Sequence, residues 1–474
     1  MAFRKLINMK RLTPMGIRSN IWVLPFLIFI CPISVNFPVH AQQNDARPNI
    51  IFIFADDWGY GDLSCHGSKF LETPNIDNLA KEGIDFTNFT VNNPVCSPSR
   101  TAVMTGQFPA RQSIHQHFQG VRAHINRGMP DWLDVEGILL PREFQKAGYA
   151  TGHFGKWHLG SGEGMPTEDM YGIDEFATFN GSGTNDIPKS SSLAVDYVEK
   201  FIKKHKDKPF FVNFWLHETH LNHYPKERFM EQFDYLSDKE QVYASVIAEG
   251  DEAVGRIITL LKQLNIDNNT LVIFSSDNGP EWEGFEERHK IKGDGLGKYY
   301  SVGKTAGLKG SKRSLFEGGI RVPFIVRWPE VVPQNIIDST SVITAVDLLP
   351  TFLEAAGIEI SENYMLDGES ALSAFKGEKF IRSKPIFWEW RGGTKNEYTW
   401  PTLGVRDGDW KLVVDVSREK MALYNLVNDW GEHENLAESN PEKLKELSLM
   451  IEEWKQSLPT KARENCISEE RKNL

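Results

Sequence analysis

Cysteine is scarce in this sequence, which has four cysteines among 474 residues. Three of them, Cys65, Cys96 and Cys466, follow the first forty residues, and an odd number cannot all be joined in intramolecular disulfides. A small scaffold held together by disulfides is therefore excluded. At least one of the three cysteines needs another explanation, and from the sequence it is open whether Cys65 and Cys466 form a pair.

Positive charge is also in deficit, with 53 lysines and arginines against 64 acidic residues and a formal net charge of −11. An acidic surface repels nucleic acids and anionic membranes, so neither is an expected partner. Internal repeats and low-complexity tracts are absent from the sequence as well. With 40% hydrophobic and 25% charged residues, the composition is that of a globular protein, and the length favours one large domain with a smaller one.

The first 41 residues differ from the rest of the chain. No acidic residue precedes Asp45, and five basic residues come before the apolar run from Trp22 to Cys31. This run is shorter than the ~20 residues that a membrane span needs. With the ending Val-His-Ala at residues 39–41, the pattern predicts a secretory signal peptide at residues 1–41 and a periplasmic or secreted protein. A retained membrane anchor is the alternative.

Three continuous apolar runs, rich in β-branched and aromatic residues, predict strands that are buried on both faces. They are residues 49–54, 209–216 and 270–276. Amphipathic patterns that predict helices lie between them, at residues 76–82, 193–205 and 242–264. The alternation of strands and helices predicts an α/β fold with a mostly parallel sheet sandwiched by helices.

Polar residues follow each of the three predicted strands directly. They are Asp56 and Asp57, His217 and His220, and Asp277 and Asn278. In open parallel sheets, functional sites form outside the carboxyl ends of the strands. We therefore expect these residues to lie together at one edge of the sheet.

The pattern of apolar residues in the sequence changes past residue 380. Short apolar runs broken by glycine and aspartate turns occur at residues 386–390, 402–406 and 410–416, and an amphipathic stretch follows at 441–458. These patterns predict a smaller antiparallel sheet packed with a C-terminal helix. We predict a large domain at residues 42–380, which contains the polar strand ends, and a smaller α+β subdomain at 381–474.

The strongest local motif reads Cys-Ser-Pro-Ser-Arg at residues 96–100 and continues to Thr-Gly at 105–106. It resembles the C-x-P-x-R signature of the type I sulfatases, the arylsulfatase and carbohydrate sulfatase family, whose cysteine is oxidised after synthesis to formylglycine. The resemblance extends from residue 47 to about 458. It implies an alkaline-phosphatase-like fold, hydrolysis of sulfate monoesters, and a formylglycine-generating or sulfatase-maturating enzyme as a partner that acts on Cys96.

Two pairs of residues resemble the metal motifs of the same family. Asp56 and Asp57 stand in the sequence Asp-Asp-Trp-Gly-Tyr-Gly-Asp, and Asp277 and Asn278 are followed by glycine. The resemblance implies that these four residues bind one metal ion together with the formylglycine formed from Cys96. Carboxylate and amide oxygens suit Ca²⁺ better than Zn²⁺. Taken alone, acidic residues and asparagine after a strand are more often helix caps or turns.

Two further blocks resemble the family's substrate-binding segments. Residues 155–160 read Gly-Lys-Trp-His-Leu-Gly, which implies that Lys156 binds the sulfate group and that His158 lies beside the formylglycine. In the later block, the family's catalytic lysine lies five residues before a Glu-Gly-Gly sequence. This spacing selects Lys312 over Lys309.

The family also has a histidine that acts on the leaving group, and His217 and His220 are both candidates. The spacing from Pro-Phe-Phe at residues 209–211 favours His220. Leu-Asn at residues 221–222 stands where many relatives have a proline, so His217 stays open as the alternative.

The resemblance implies a mechanism in which one hydroxyl of the hydrated formylglycine, acidified by the metal and Arg100, attacks sulfur. Lys156, Lys312 and the metal would hold the sulfate oxygens, and His220 with Lys312 would protonate the leaving oxygen. His158 would take the proton of the second hydroxyl, which releases sulfate. The alternatives are a phosphomonoester or phosphonate hydrolase of the same architecture and an unmatured carbohydrate-binding relative.

A sulfated polysaccharide or oligosaccharide is the substrate that we expect for an exported sulfatase. Two segments with basic residues, 111–124 and 282–300, are either contacts for a polyanionic sugar or solvated loops. Trp388, Trp390 and Trp400 either stack on sugar rings or pack in the core, which is the more common role of tryptophan.

Overall fold

The computed structural model describes residues 47–183, 186–282, 302–392 and 400–474. The predicted signal peptide, residues 1–41, lies outside the described residues. The described residues of the predicted domain 42–380 and of the predicted subdomain 381–474 belong to one unit, Ala46–Leu474. Among the described residues, no helix is both long enough and apolar enough to cross a membrane.

The strands of the described residues form a large sheet, a pair and a smaller sheet. Their bounds are β1 (Asn49–Ala55), β2 (Ile84–Phe86), β3 (Phe89–Thr90), β4 (Ala150–Lys156), β5 (Glu175–Phe179), β6 (Phe210–Trp215), β7 (Thr270–Ser276), β8 (Phe324–Arg327), β9 (Ile336–Asp338), β10 (Ile343–Thr344), β11 (Ile386–Glu389), β12 (Leu403–Asp407), β13 (Trp410–Val414) and β14 (Met421–Asn425).

The α-helices lie between these strands and after them. Their bounds are α1 (Pro74–Lys81), α2 (Cys96–Thr105), α3 (Val121–Arg127), α4 (Leu140–Lys146), α5 (Ser191–His205), α6 (Glu227–Met230), α7 (Asp238–Gln263), α8 (Glu317–Ile320), α9 (Leu348–Ala355), α10 (Leu372–Phe375), α11 (Pro441–Gln456) and α12 (Glu469–Lys472).

The large sheet has the strand order β5-β4-β6-β1-β7-β8-β2-β9 within the described residues. Its first five strands run parallel, and β8 runs antiparallel to both of its neighbours. At the centre, Ile53 of β1 pairs with Phe214 of β6 and Phe274 of β7. The mostly parallel sheet that the alternating sequence pattern predicts is confirmed.

Helices cover both faces of the large sheet because its central strands are apolar on both faces. In β1, Ile50, Phe52 and Phe54 belong to one hydrophobic cluster. Ile51 and Ile53, which point to the opposite face, belong to a second cluster that includes residues of α5 and α7. The sandwich of helices around the sheet follows from this two-sided burial.

The smaller sheet is antiparallel throughout, in the order β11-β12-β13-β14 among the described strands. Helix α11 packs on it, and the rings of Phe387 and Trp454 stack with their centroids 4.9 Å apart. Trp388 and Trp390 are buried in the core, whereas Trp400 is half-buried beside Phe316. Core packing is therefore the role of the first two tryptophans.

Buried ionic contacts fasten the smaller sheet to the helix that covers it. Glu389, at the end of β11, accepts a hydrogen bond from Lys455 Nζ of α11 at 2.7 Å and one from Arg391 Nε at 3.1 Å. His115 Nδ1 lies 3.3 Å from the same carboxylate. Burial alone would raise the pKa of Glu389, but these three basic side chains outweigh it and hold the pKa well below its usual range.

Replacing Glu389 by glutamine should lower the free energy of unfolding by about 1–3 kcal/mol at pH 7, because the basic side chains lose their counter-charge. A depressed folded-state pKa stabilises the fold at pH values above the unfolded-state pKa of about 4, and this contribution is lost as the pH falls further. Chemical denaturation at pH 7 and pH 3 measures both effects. The control, Glu452→Gln, removes an exposed pair with Arg418; a loss as large as that of Glu389→Gln would contradict the prediction.

Candidate active site

Charged and polar residues gather at the carboxyl ends of four adjacent parallel strands. Asp56 and Asp57 follow β1, Lys156 is the last residue of β4, His217 lies two residues after β6, and Asp277 and Asn278 follow β7. Because these strands run in the same direction, their carboxyl ends lie at one edge of the sheet. The residues after β1, β6 and β7 lie where the sequence predicts them, whereas β4, which ends in Lys156, is not among the predicted strands.

Residue 96 reaches this edge from outside the sheet. Cys96 is the first residue of α2, a helix whose residues are all buried. The amide groups at a helix N-terminus carry partial positive charge and favour anions. Residue 96 therefore lies where a negatively charged group is stabilised by the backbone as well as by side chains.

Each of the three carboxylates at the site accepts a short hydrogen bond from a different lysine or arginine. Lys156 Nζ donates to Asp56 Oδ2 at 2.6 Å, Lys312 Nζ to Asp57 Oδ2 at 2.6 Å, and Arg100 Nη2 to Asp277 Oδ2 at 2.6 Å. All six side chains are buried. The site thus contains three acidic and three basic groups that neutralise one another.

The basic groups influence the protonation of this cluster. Burial alone would raise the pKa of Asp56, but Lys156 and other nearby positive groups outweigh it and lower the pKa well below its usual range. Burial alone would lower the pKa of Lys312, but Asp57 and Glu281 outweigh it and raise the pKa above its usual range. Asp56 is therefore a carboxylate and Lys312 an ammonium group at neutral pH.

Several oxygen atoms of the cluster are available to a metal ion. Asp56 Oδ1 and Asn278 Oδ1 are buried and have no hydrogen-bond partner among the described residues. Asp56, Cys96 and Asp277 each place one potential ligand atom within 4.8 Å of the others. The cysteine sulfur stands here for the oxygen that formylglycine would carry. Because the other donors are carboxylate and amide oxygens, the set fits a hard divalent cation.

His158 contacts residue 96 in an orientation that suits a base. Its Nδ1 lies 3.3 Å from Cys96 Sγ, and its Nε2 lies 3.0 Å from the carbonyl oxygen of Phe118. A carbonyl only accepts hydrogen bonds, so Nε2 carries the proton and Nδ1 presents a lone pair to residue 96. Burial, with the charge of Lys156, lowers the pKa of His158 to about 3, which keeps the ring neutral.

The two candidate histidines lie side by side, with ring centroids 5.1 Å apart, but differ in their contacts. His217 is buried and its Nδ1 donates to Asp56 Oδ2 at 3.2 Å. His220 is half-buried and its Nδ1 donates to the carbonyl oxygen of Leu221 at 2.6 Å. Burial, with the charges of Lys312 and Lys156, lowers the pKa of His220 well below its usual range.

The structure separates Lys312 from the neighbouring candidate Lys309. Lys309 Nζ donates to the hydroxyl of Tyr424 at 3.0 Å and to the carbonyl oxygen of Glu432 at 3.3 Å, which brings it to the smaller sheet. Lys312 Nζ instead contacts Asp57. Only Lys312 of this pair lies in the carboxylate cluster, in agreement with the spacing in the sequence.

Comparison with known proteins gives the family. The family model described as "Sulfatase" matches residues 48–358, about two thirds of the chain. The chain belongs to the sulfatase family. A second model, described as "N-sulphoglucosamine sulphohydrolase, C-terminal", matches residues 310–458 of this sulfatase. The protein is accordingly a sulfuric ester hydrolase.

Relatives of this sulfatase cover most of its length. An N-acetylgalactosamine-6-O-sulfatase of Bacteroides thetaiotaomicron is 26% identical over 94% of this chain and 99% of its own. The N-acetylgalactosamine-6-sulfatase of Sus scrofa is 31% identical over 73% of this chain and 69% of its own. The crystal structure of Ps i-CgsB in complex with k-i-k-neocarrahexaose has a TM-score of 0.73 and 26% identity, covering 88% of this chain and 96% of that one.

A cavity of about 640 Å³ adjoins His158 in this sulfatase. Its lining residues outside the glycines are Phe118, Gln119, His158, Ser161, Glu163, Met165, Asn180 and Ser182. Phe118 and Gln119 fall in the basic segment at residues 111–124, which the sequence pattern indicated. Apart from these two residues and His158, the sequence patterns missed the lining, because it belongs to irregular loops without a repeating pattern.

The basic segment at residues 111–124 is mainly structural. Arg111 pairs with Asp367, His115 with Glu389, and His124 with Asp131. Phe118 and Gln119 are the members of the segment that line the cavity. Three of the segment's basic side chains are therefore already paired with acids and are less available to a polyanionic sugar. The other basic segment, residues 282–300, lies outside the described residues except for Trp282.

Proposed function

We propose that this sulfatase removes sulfate groups from a sulfated carbohydrate, using formylglycine formed from Cys96 and one Ca²⁺ ion bound by Asp56, Asp57, Asp277 and Asn278. The observation that carries the proposal is the contact between residue 96 and the neutral base His158 inside a cluster of acidic and basic groups. The names of relatives support the substrate class, since they include an N-acetylgalactosamine-6-O-sulfatase and a structure that holds k-i-k-neocarrahexaose.

Electrostatics support binding of a sulfate ester at this edge of the sheet. The three acidic and three basic side chains balance one another. When bound, a divalent ion would add positive charge and polarise a sulfate oxygen, while hydrated formylglycine would supply one hydroxyl for attack and a second for release of sulfate. Burial of the cluster keeps water away and strengthens these interactions.

Side chains of the protein bind the sulfate group and transfer the protons. Lys156 and Lys312 contact the sulfate oxygens, and Arg100 holds Asp277 while its guanidinium lies 4.8 Å from the ring centroid of Trp215. His158 accepts a proton from the side chain at position 96 through Nδ1. A bound sulfate ester brings negative charge beside His220, which favours its protonated form, so that His220 and Lys312 together provide the proton for the leaving oxygen.

The sugar that carries the sulfate would occupy the cavity beside His158. A cavity of about 640 Å³ falls in the usual size range of small-ligand sites, roughly 300–1,000 Å³. The signal-peptide pattern supports a periplasmic or secreted enzyme that meets such polysaccharides outside the cytoplasm. Its partners would be the sulfated carbohydrate and a formylglycine-generating or sulfatase-maturating enzyme, with no nucleic acid and no stable membrane association.

Protein from a host with a formylglycine-generating system should carry an aldehyde at position 96, seen by mass spectrometry of the peptide that contains this residue. Cys96→Ala should fold but release no sulfate from a panel of defined sulfated saccharides, since the nucleophile is lost. Cys65→Ala, at an exposed cysteine, is the matched control and should keep full activity. An unmodified cysteine in fully active enzyme would refute the formylglycine assignment. Hydrolysis of phosphate monoesters, with no sulfate released from the panel, would favour the phosphohydrolase alternative.

One Ca²⁺ per chain should be found by elemental analysis, and its removal by a chelator should abolish activity and lower the melting temperature. Ca²⁺ should restore both better than Zn²⁺, because the donors are oxygens. Asn278→Ala should weaken Ca²⁺ binding, since its buried Oδ1 is a proposed ligand. Asn49→Ala, at the opposite end of β1, is the control. Two tightly bound metal ions per chain would instead support a phosphohydrolase.

His220→Ala should impair a sugar sulfate, whose alcohol is a poor leaving group, about 10²–10⁴-fold more than an aryl sulfate with an acidic phenol. His217→Ala should affect both substrates alike, because His217 contacts Asp56 and acts through the metal ligands. Steady-state kinetics of both variants on both substrates measure the contrast. If the contrast appears for His217→Ala and is absent for His220→Ala, then His217 is the acid.

A further inference from the structure

A buried ionic cluster connects the smaller sheet to the loop that carries Lys312, residues 309–317, which we call the Lys312 loop. Lys411 Nζ of β13 lies 2.8 Å from Glu317 Oε1 and 2.9 Å from Glu432 Oε1. All three side chains are fully buried. Replacing such a cluster by well-packed apolar groups often leaves stability unchanged or improves it, so stability alone does not account for its presence.

Both ends of the Lys312 loop are attached to this cluster. At the C-terminal end, the backbone amide of Glu317 donates to Glu432 Oε2 at 2.6 Å. At the N-terminal end, Lys309 Nζ contacts Tyr424 and the carbonyl oxygen of Glu432. The amide of Gly318 donates to the carbonyl oxygen of Lys309 at 2.7 Å and closes the loop on itself.

The orientation of Glu317 is determined on both of its carboxylate oxygens. Oε1 accepts from Lys411 Nζ, and Oε2 accepts from Arg321 Nε at 2.6 Å. Hydrogen bonds to charged groups are directional, in contrast to apolar contacts, and so hold one geometry. The base of the loop is thereby held in one position relative to β13.

The tip of the same loop contacts the catalytic segments. Lys312 donates through its amide to the carbonyl oxygen of Pro280 at 2.8 Å, and Arg313 to that of Pro94 at 3.0 Å. Lys312 Nζ reaches Asp57. A shift at the base of the loop would therefore move the ammonium group relative to Asp57 and to a bound sulfate.

We propose that Lys411 and Glu432 are positioning residues, which act through Glu317 and Lys309 to place the ammonium group of Lys312 against the sulfate group. The smaller sheet is then part of the catalytic apparatus although Lys411 and Glu432 do not touch substrate. This inference rests on the proposed role of Lys312 in binding sulfate.

A double-mutant cycle with Lys312 tests the inference, with 4-nitrophenyl sulfate as the probe. Lys411→Met combined with Glu432→Gln removes one charge of each sign and so keeps the cluster's net charge. These two substitutions together should lower kcat/KM about 10-fold or more, because they misplace the ammonium group of Lys312. Removing one group that stabilises charge in the transition state typically lowers the rate about 10²–10³-fold. In a Lys312→Ala background the same pair should cost less than about 2-fold, because its effect passes through Lys312.

The matched control is Arg327→Met with Asp267→Asn, which removes an ion pair of 2.8 Å at the end of β8. It should lower the melting temperature but change kcat/KM less than about 2-fold in either background. If the cluster variant folds poorly, Tyr424→Phe, which removes only the hydroxyl that contacts Lys309, goes through the same cycle and should lose its effect in the Lys312→Ala background.

The outcomes separate the two proposals. If the cluster variant loses as much kcat/KM in the Lys312→Ala background as in the wild-type background, the positioning role alone is overturned. A folded cluster variant with wild-type kcat/KM would overturn it as well. Wild-type kcat/KM in Lys312→Ala itself would overturn the proposed role of Lys312, and with it this inference. Coupling of the cluster variant with Lys312→Ala, together with a control that melts at a lower temperature but keeps its kcat/KM, would support both.

Discussion

Three carboxylates can be buried side by side only if positive charges lie among them, because isolated buried charges are strongly unfavourable. Asp56, Asp57 and Asp277 meet this constraint through three separate basic side chains, one on β4, one on α2 and one on the loop before α8. The ion pairs join segments up to 255 residues apart in the chain. The fold around the site therefore has to keep these segments in register.

The parallel sheet satisfies much of this requirement with its backbone. Four neighbouring strands direct their carboxyl ends to one edge, so the residues that follow them converge without long connecting loops. Groups that come from outside the sheet need other supports. Residue 96 is supported by the buried helix α2, and Lys312 by a loop whose two ends contact Tyr424 and Lys411 of the smaller sheet. The two sheets thus contribute to one site.

The chemical centre and the adjoining cavity are built differently. The centre lies on strand ends and a helix start, where packing restricts each side chain. The cavity beside His158 is lined by loop residues such as Glu163, Asn180 and Ser182. Loops accept substitutions more readily than strands, so the lining of this cavity is freer to vary than the chemical centre.

From the sequence alone, the central strands β1, β6 and β7, the helices α1, α5, α7 and α11 and the polar residues after those strands were predictable, because continuous apolar runs and helical periodicity report burial directly. The family motifs also selected Lys312 over Lys309. Ion-pair partners were not predictable in this way: nothing near Arg111 indicates Asp367, and nothing near Glu317 indicates Lys411. Periodicity describes which face of an element is buried, whereas the partner of a buried charge depends on sheet order and helix packing, and these are decided only in the tertiary structure.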